Sequence, residues 1–252
     1  MKTLSTFSIA LFASAFSLLL APSCPGQDTN AAPDATASAQ PVVAHNVLPV
    51  YHPPDISGGI LPIRVGGGSR GGGNDEITVG VLVPDHVALT TRMQPSLYWY
   101  QSKAGKTRCE VTLTQPEKAK PLLDLQSSGP TAAGIHSIKL SDFKVKLEPN
   151  IVYKWSVAVV VDPHNRSEDI VADGVIEYVP ASPELASKLA AADDSNRSAV
   201  YAAAGIWYDA LDSLSTLIGK NPQDQALQSQ RVALLRQVGL DGATIAAIGS
   251  KK

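Results

Sequence analysis

Only two cysteines, Cys24 and Cys109, occur in 252 residues, which excludes a disulfide-stapled scaffold and any zinc site built from several thiolates. Charge of one sign is equally scarce. Twenty-one Lys and Arg stand against 23 Asp and Glu, and a net charge of −2 gives no basic field for nucleic acid. The histidines at 45, 52, 86, 136 and 164 show neither an i, i+4 helical pair nor a cluster with carboxylates, so no metal or other cofactor is implied. After Ala21 no apolar run approaches membrane-spanning length, while 44% hydrophobic residues are enough for a core.

The apolar run that does exist is at the start. Met1-Lys2 followed by Leu4 to Ala21 reads as a secretory signal peptide, too short and too interrupted by serine for a stable membrane span. Ala21 and Ser23 place cleavage near residue 23, with Gly26 as the later option. The expectation is an exported protein, periplasmic or extracellular, or held at the membrane if Cys24 carries a lipid. Cys109, inside the alternating segment Arg108–Thr114, reads as a strand residue rather than a nucleophile.

Residues 27–75 run without periodicity from a disordered tether of Ala, Asp, Thr, Ser and Pro, to about Ala44, into a Pro- and Gly-rich entry segment that holds one conformation only if neighbours pin its backbone. It closes in Gly66-Gly-Gly-Ser69-Arg70-Gly-Gly-Gly73. Gly67-x-Ser69-x-Gly71 has the spelling of a nucleophile elbow, but a strand pattern follows it where an elbow requires a helix. His136, His164, Asp142 and Asp162 are the residues available as triad partners. A phosphate cradle fails for the same reason, because no helix opens after the glycines.

From 76 to 180 short β-branched and aromatic segments alternate with Pro, Gly and Asp. Strands are expected at Ile77–Val83, Val87–Thr90, Ser96–Gln101, Arg108–Thr114, Ile135–Leu140, Val152–Val161 and Ile170–Val179. Seven such strands suit a two-sheet sandwich. Leu147 to Trp155 resembles the corner of immunoglobulin and fibronectin type III domains, which implies that the Tyr153 hydroxyl bonds back to upstream backbone and that Trp155 is core. Trp99 points away from Tyr98 and Tyr100, and one of those two faces should be core. An exposed Tyr98/Tyr100 face could stack a carbohydrate, although strand aromatics more often pack across strands.

Beyond 181 the spacing becomes helical. Ser182-Pro183 opens a helix to about Ala192. Val200, Ala204, Trp207, Leu211, Leu214 and Ile218 form one stripe on a second helix that Gly219 should stop, and Asn221-Pro222 starts a third. The short link makes the last two a hairpin similar to a single tetratricopeptide unit, which must bury its stripe on the sandwich, on the first helix or on another protein. Intramolecular core is the favoured reading of Trp207.

Gly66 to Gly71, Pro95-Ser-Leu-Tyr-Trp-Tyr100, Gly134-Ile-His-Ser-Ile, Tyr153-Lys-Trp155 and Gly205-Ile-Trp-Tyr-Asp-Ala-Leu211, in that order, resemble the DUF928 family of exported bacterial proteins known chiefly from cyanobacteria. Ser69 stands where a threonine is expected. The resemblance implies an envelope protein and transfers no catalytic residues. Ser69, Arg70, Tyr98, Tyr100, Trp207, Tyr208 and Asp209 are therefore candidate interaction or motif residues, and Tyr153 and Trp155 structural ones. The expected function is a non-catalytic interaction or scaffold module with an envelope protein partner, using a sheet edge or the helical hairpin. A ligand- or carbohydrate-binding sandwich is the alternative, and a Ser69 hydrolase the third reading.

Overall fold

The computed structural model describes residues 48–54, 77–104, 108–130, 132–240 and 242–249. The segment expected to be a signal peptide, Cys24, Ser69, Arg70 and the glycine run lie outside the described residues. Among the described residues eight strands come first: β1 (Val79–Val81), β2 (Ala88–Thr90), β3 (Ser96–Gln101), β4 (Arg108–Thr114), β5 (Leu123–Ser128), β6 (Gly134–Lys139), β7 (Val152–Val159) and β8 (Ile170–Tyr178). They make a three-stranded sheet in the order β1-β3-β6 and a five-stranded sheet in the order β2-β8-β7-β4-β5. Neighbours are antiparallel except β2 and β8, which run parallel. Five helices follow: α1 (Pro183–Ala191), α2 (Arg197–Ala203), α3 (Trp207–Lys220), α4 (Gln225–Arg236) and α5 (Gly242–Gly249).

Alternation explains the sheet interior. On β7, Tyr153, Trp155, Val157 and Val159 are buried and the residues between them are more exposed, as a strand with one core face requires. Cys109, Val111 and Leu113 on β4 and Val79 and Val81 on β1 extend the same core. Trp155 lies across from Gly174 on β8, where an added Cβ would stand 3.0 Å from both the Trp155 indole nitrogen and Val83 Cγ2. The missing side chain makes room for the tryptophan.

β3 departs from the one-face expectation, because all six of its residues are buried. Trp99 meets the His136 ring, with centroids 5.7 Å apart. On the other face the Tyr98 hydroxyl donates to Asp212 on α3 at 2.8 Å, so the helical layer covers the side that the sequence left open. Tyr98 and Tyr100, 8% and 6% exposed, are therefore interior residues, in keeping with packed strand aromatics, and leave no exposed face of the kind a stacked carbohydrate needs.

β5 is the strand that the sequence pattern did not show. Leu-Asp-Leu-Gln-Ser-Ser is weak in strand formers, and its last three residues are exposed at the edge of the larger sheet. Its register with β4, from Leu113 opposite Leu123 to Arg108 opposite Ser128, defines it instead.

The helices follow their caps. Ser182 Oγ accepts the Leu185 amide at 3.1 Å with Pro183 at the first helical position, and Asp224 caps α4 through the amides of Ala226 and Leu227. The single stripe expected from Val200 to Ile218 is instead two helices, broken at Ala204-Gly205-Ile206. Gly219 does not stop α3, which runs on to Lys220. The break has a local cause. Gly205 adopts φ 75°, and a Cβ there would lie 2.9 Å from the His52 carbonyl oxygen. Residues 48–54 thus form a strap across the helices, pinned by His52 N to Ala202 O at 3.1 Å and by Gln237, which bonds Tyr51 N and Pro49 O.

Gly205→Ala is expected to destabilise the protein by more than ~1 kcal/mol, whereas Gly219→Ala, with open space around it, should be neutral or stabilising by up to ~1 kcal/mol. Denaturant unfolding of the two variants checks this, and an unaffected Gly205→Ala would contradict the strap geometry.

Candidate functional site

The densest group of buried polar side chains lies where the first turns of α3 meet the β-layers. Trp207, Tyr208 and Asp209 open the helix, and all three are essentially inaccessible. The Trp207 indole N–H donates to the Leu82 carbonyl at 2.9 Å, just beyond β1. The Tyr208 hydroxyl accepts the Trp155 indole N–H at 2.8 Å and donates to the Val175 carbonyl at 3.1 Å. Tyr51 of the strap closes the group, edge-on to Trp207 with centroids 5.0 Å apart and hydrogen-bonded to His86 Nε2 at 2.9 Å.

The carboxylate of Asp209 is filled on both oxygens. Thr90 Oγ1 donates to Oδ1 at 2.7 Å, while the Thr91 amide at 2.9 Å and the Thr91 hydroxyl donate to Oδ2. Arg92 comes within 3.9 Å of Asp209 and pairs closely with Asp212, which also accepts the Tyr98 hydroxyl. Burial pushes the Asp209 carboxyl above its usual range, against the opposing pull of the Thr91 and Thr90 donors and of Arg92. Burial, with Asp212 second, likewise pushes the Tyr98 phenol up.

This arrangement binds the chain to itself. Two carboxyl groups on one helix resemble an acid/base pair in composition, but a hydrolytic pair must face a substrate across a cleft, and Asp209 is 1% exposed with its acceptor positions occupied. Trp207, Tyr208 and Asp209 are therefore buried at the junction, Trp207 as the core residue its stripe suggests, and they offer no exposed contact surface. The triad conscripts are scattered: His136 is on β6 beside Trp99, and Asp162 and His164 share an exposed turn. Tyr153 behaves as its resemblance implies, its hydroxyl accepting the Glu148 amide at 2.9 Å, and Trp155 is core. Cys109 lines a cavity of about 220 Å³ with Trp99 and His136. Burial, with Glu110 second, raises its thiol to about 11, so it stays protonated at neutral pH.

Thr90, Thr91, Arg92 and Asp212 were not singled out from the sequence. A signal for Asp212 was there, since Asp209 and Asp212 sit one turn apart among Trp207, Tyr208, Leu211 and Leu214, and an acid on a buried stripe must have partners. A separate groove of about 730 Å³ runs between α1 and α2, lined by Leu185, Val200 and several alanines, and holds none of the candidate interaction residues.

Because the folded-state carboxyl of Asp209 titrates above its unfolded value, its protonation favours the folded state. Its contribution is greatest below the unfolded value and is lost as pH rises through the folded one. The stability cost of Asp209→Asn should accordingly be largest near pH 4 and shrink as pH increases, measured by denaturant unfolding across pH. A cost that grows with pH would show that the donors outweigh burial.

A family model described as Domain of Unknown Function (DUF928) matches residues 65–248. No curated protein matches the chain.

Proposed function

As the chain belongs to the DUF928 family, whose resemblance hands over no catalytic residues, we propose that it is a non-catalytic, exported envelope protein that serves as an interaction or scaffold module. One observation carries this reading. Trp207, Tyr208 and Asp209 of α3 and Tyr98 of β3 are consumed in joining helices to sheets. What the molecule offers to others is therefore its surface rather than a chemically loaded cleft. Among the described residues, no helix is long and apolar enough to cross a membrane.

The β-layers are read further as an immunoglobulin-type sandwich. Two features support this: the run β8-β7-β4 repeats the G-F-C strand order, and the Tyr153–Glu148 bond repeats the tyrosine corner. Trp155, two residues after that tyrosine, stands where antibody domains carry the second cysteine of their inter-sheet disulfide. On such a sandwich the natural contact is an edge strand, and β5 offers one with Asp124 and Gln126 exposed. The partner would be an extended segment of another envelope protein. The carbohydrate-stacking alternative loses its platform, because Tyr98 and Tyr100 are buried.

A photo-crosslinking residue at Gln126, used in the native envelope, is expected to trap a discrete protein, and Asp124→Lys/Ser128→Lys in the same chain should abolish the adduct without altering the circular dichroism. An adduct insensitive to the double substitution, or none at all, would remove β5 as the contact.

A further inference from the structure

Turns at one end of the β-layers gather lysines. Lys118 and Lys120 lie between β4 and β5, Lys139 ends β6, and Lys144 and Lys146 follow on the way to β7; all five are exposed. Backbone bonds tie these turns to the β2–β3 connection, with Leu147 N to Met93 O at 2.8 Å and Leu140 N to Pro95 O at 3.0 Å. Lys118 meets Glu148 at 3.2 Å. Among the described residues the other four lysines have no ion-pair partner. On these turns the acids are Glu117, Asp142 and Glu148, three against five lysines, while Asp124 on β5 and Glu177 on β8 stand just inside the strands at the same end.

Two exposed apolar side chains stand on the same turns, Met93 at 49% and Phe143 at 37%. The turn does not lack core anchors, since Leu140 and Leu147 are buried on either side of Phe143. Phe143 ends a 3-10 turn (Leu140–Phe143) closed by Lys144 in the left-handed conformation, φ 57°, whose amide bonds Ser141 O. The outward position of Phe143 is thus fixed by backbone bonds.

We propose that this end of the molecule docks on an anionic lipid surface. The charge complementarity is specific to that occupant. Unpaired lysines on long stems reach headgroup phosphates while an aromatic ring and a thioether enter the boundary between headgroups and acyl chains. Each lysine near such a surface strengthens partitioning about fivefold, and the attraction fades beyond about 8 Å at physiological salt. Binding is therefore reversible and salt-sensitive. It requires neither a protein partner at β5 nor a lipid on Cys24.

The test is co-sedimentation of the chain beginning at Gln27, which lacks the apolar leader and Cys24, with phosphatidylcholine vesicles with and without phosphatidylglycerol. The protein should pellet with the anionic vesicles at low salt and stay in solution with the neutral ones. Lys139→Glu/Lys144→Glu/Lys146→Glu should weaken binding by more than about tenfold, and Phe143→Ala by about fivefold. Lys188→Glu/Lys220→Glu on the helical layer should change nothing. Lys144→Gln/Lys146→Gln gives a gentler variant, with folding followed by circular dichroism. Failure to pellet with anionic vesicles, an equal loss in the helical-layer variant, or competition by soluble glycerol 3-phosphate, which marks a phosphate site alone, would each overturn the proposal.

Discussion

The Tyr208 hydroxyl, receiving the Trp155 indole proton and giving its own to the Val175 carbonyl, is the bond on which the architecture turns. A phenol is costly to bury unless its hydroxyl is satisfied, and here all three groups are inside the protein. Trp155 and Val175 belong to adjacent strands of the five-stranded sheet, whereas the neighbouring Trp207 reaches Leu82 beside the three-stranded one. One helical turn therefore ties both sheets together. Asp209 and Asp212 extend the junction to Thr90, Thr91, Arg92 and Tyr98. Leaving a buried acceptor such as the Asp209 carboxyl without its threonine donors costs about 1–3 kcal/mol, a sizeable part of the ~5–15 kcal/mol that holds a typical domain. The change from strands to helices near residue 181 is accordingly a change of texture along the chain and not a seam in the fold.

That distinction explains what the sequence could and could not convey. Seven strands were legible because β-branched residues and aromatics alternate between turn residues, and α1 was legible because Ser182-Pro183 is a cap with local meaning. β5 was not, since its pairing with β4 supplies what its own composition lacks. The break at Gly205 was equally hidden. It depends on the His52 carbonyl lying against the glycine, a contact about 150 residues away in sequence that no local periodicity encodes. The same limit applied to the junction. Trp207 could be read as core from its stripe, but the partners of Asp209 come from β2 and the turn after it, and only the fold brings them together.

The surfaces left over after this packing concern function most. The edge of β5 and the lysine-bearing turns at the end of the β-layers are distinct places on the molecule with different chemistry, one offering backbone hydrogen bonds and the other charge with exposed apolar tips. A module that holds a protein strand while resting on a lipid surface would be a bridge between the two. The heavily bonded interior is consistent with that role, since a scaffold transmits position only if its layers do not slide.

Native-state hydrogen exchange tests most directly whether the helical layer and the sheets are one cooperative body. Amides of α3 should exchange through the same opening, with the same free energy and denaturant dependence, as those of β7 and β8. Exchange of α3 through a separate, lower-energy opening while the two strands stay protected would contradict the account.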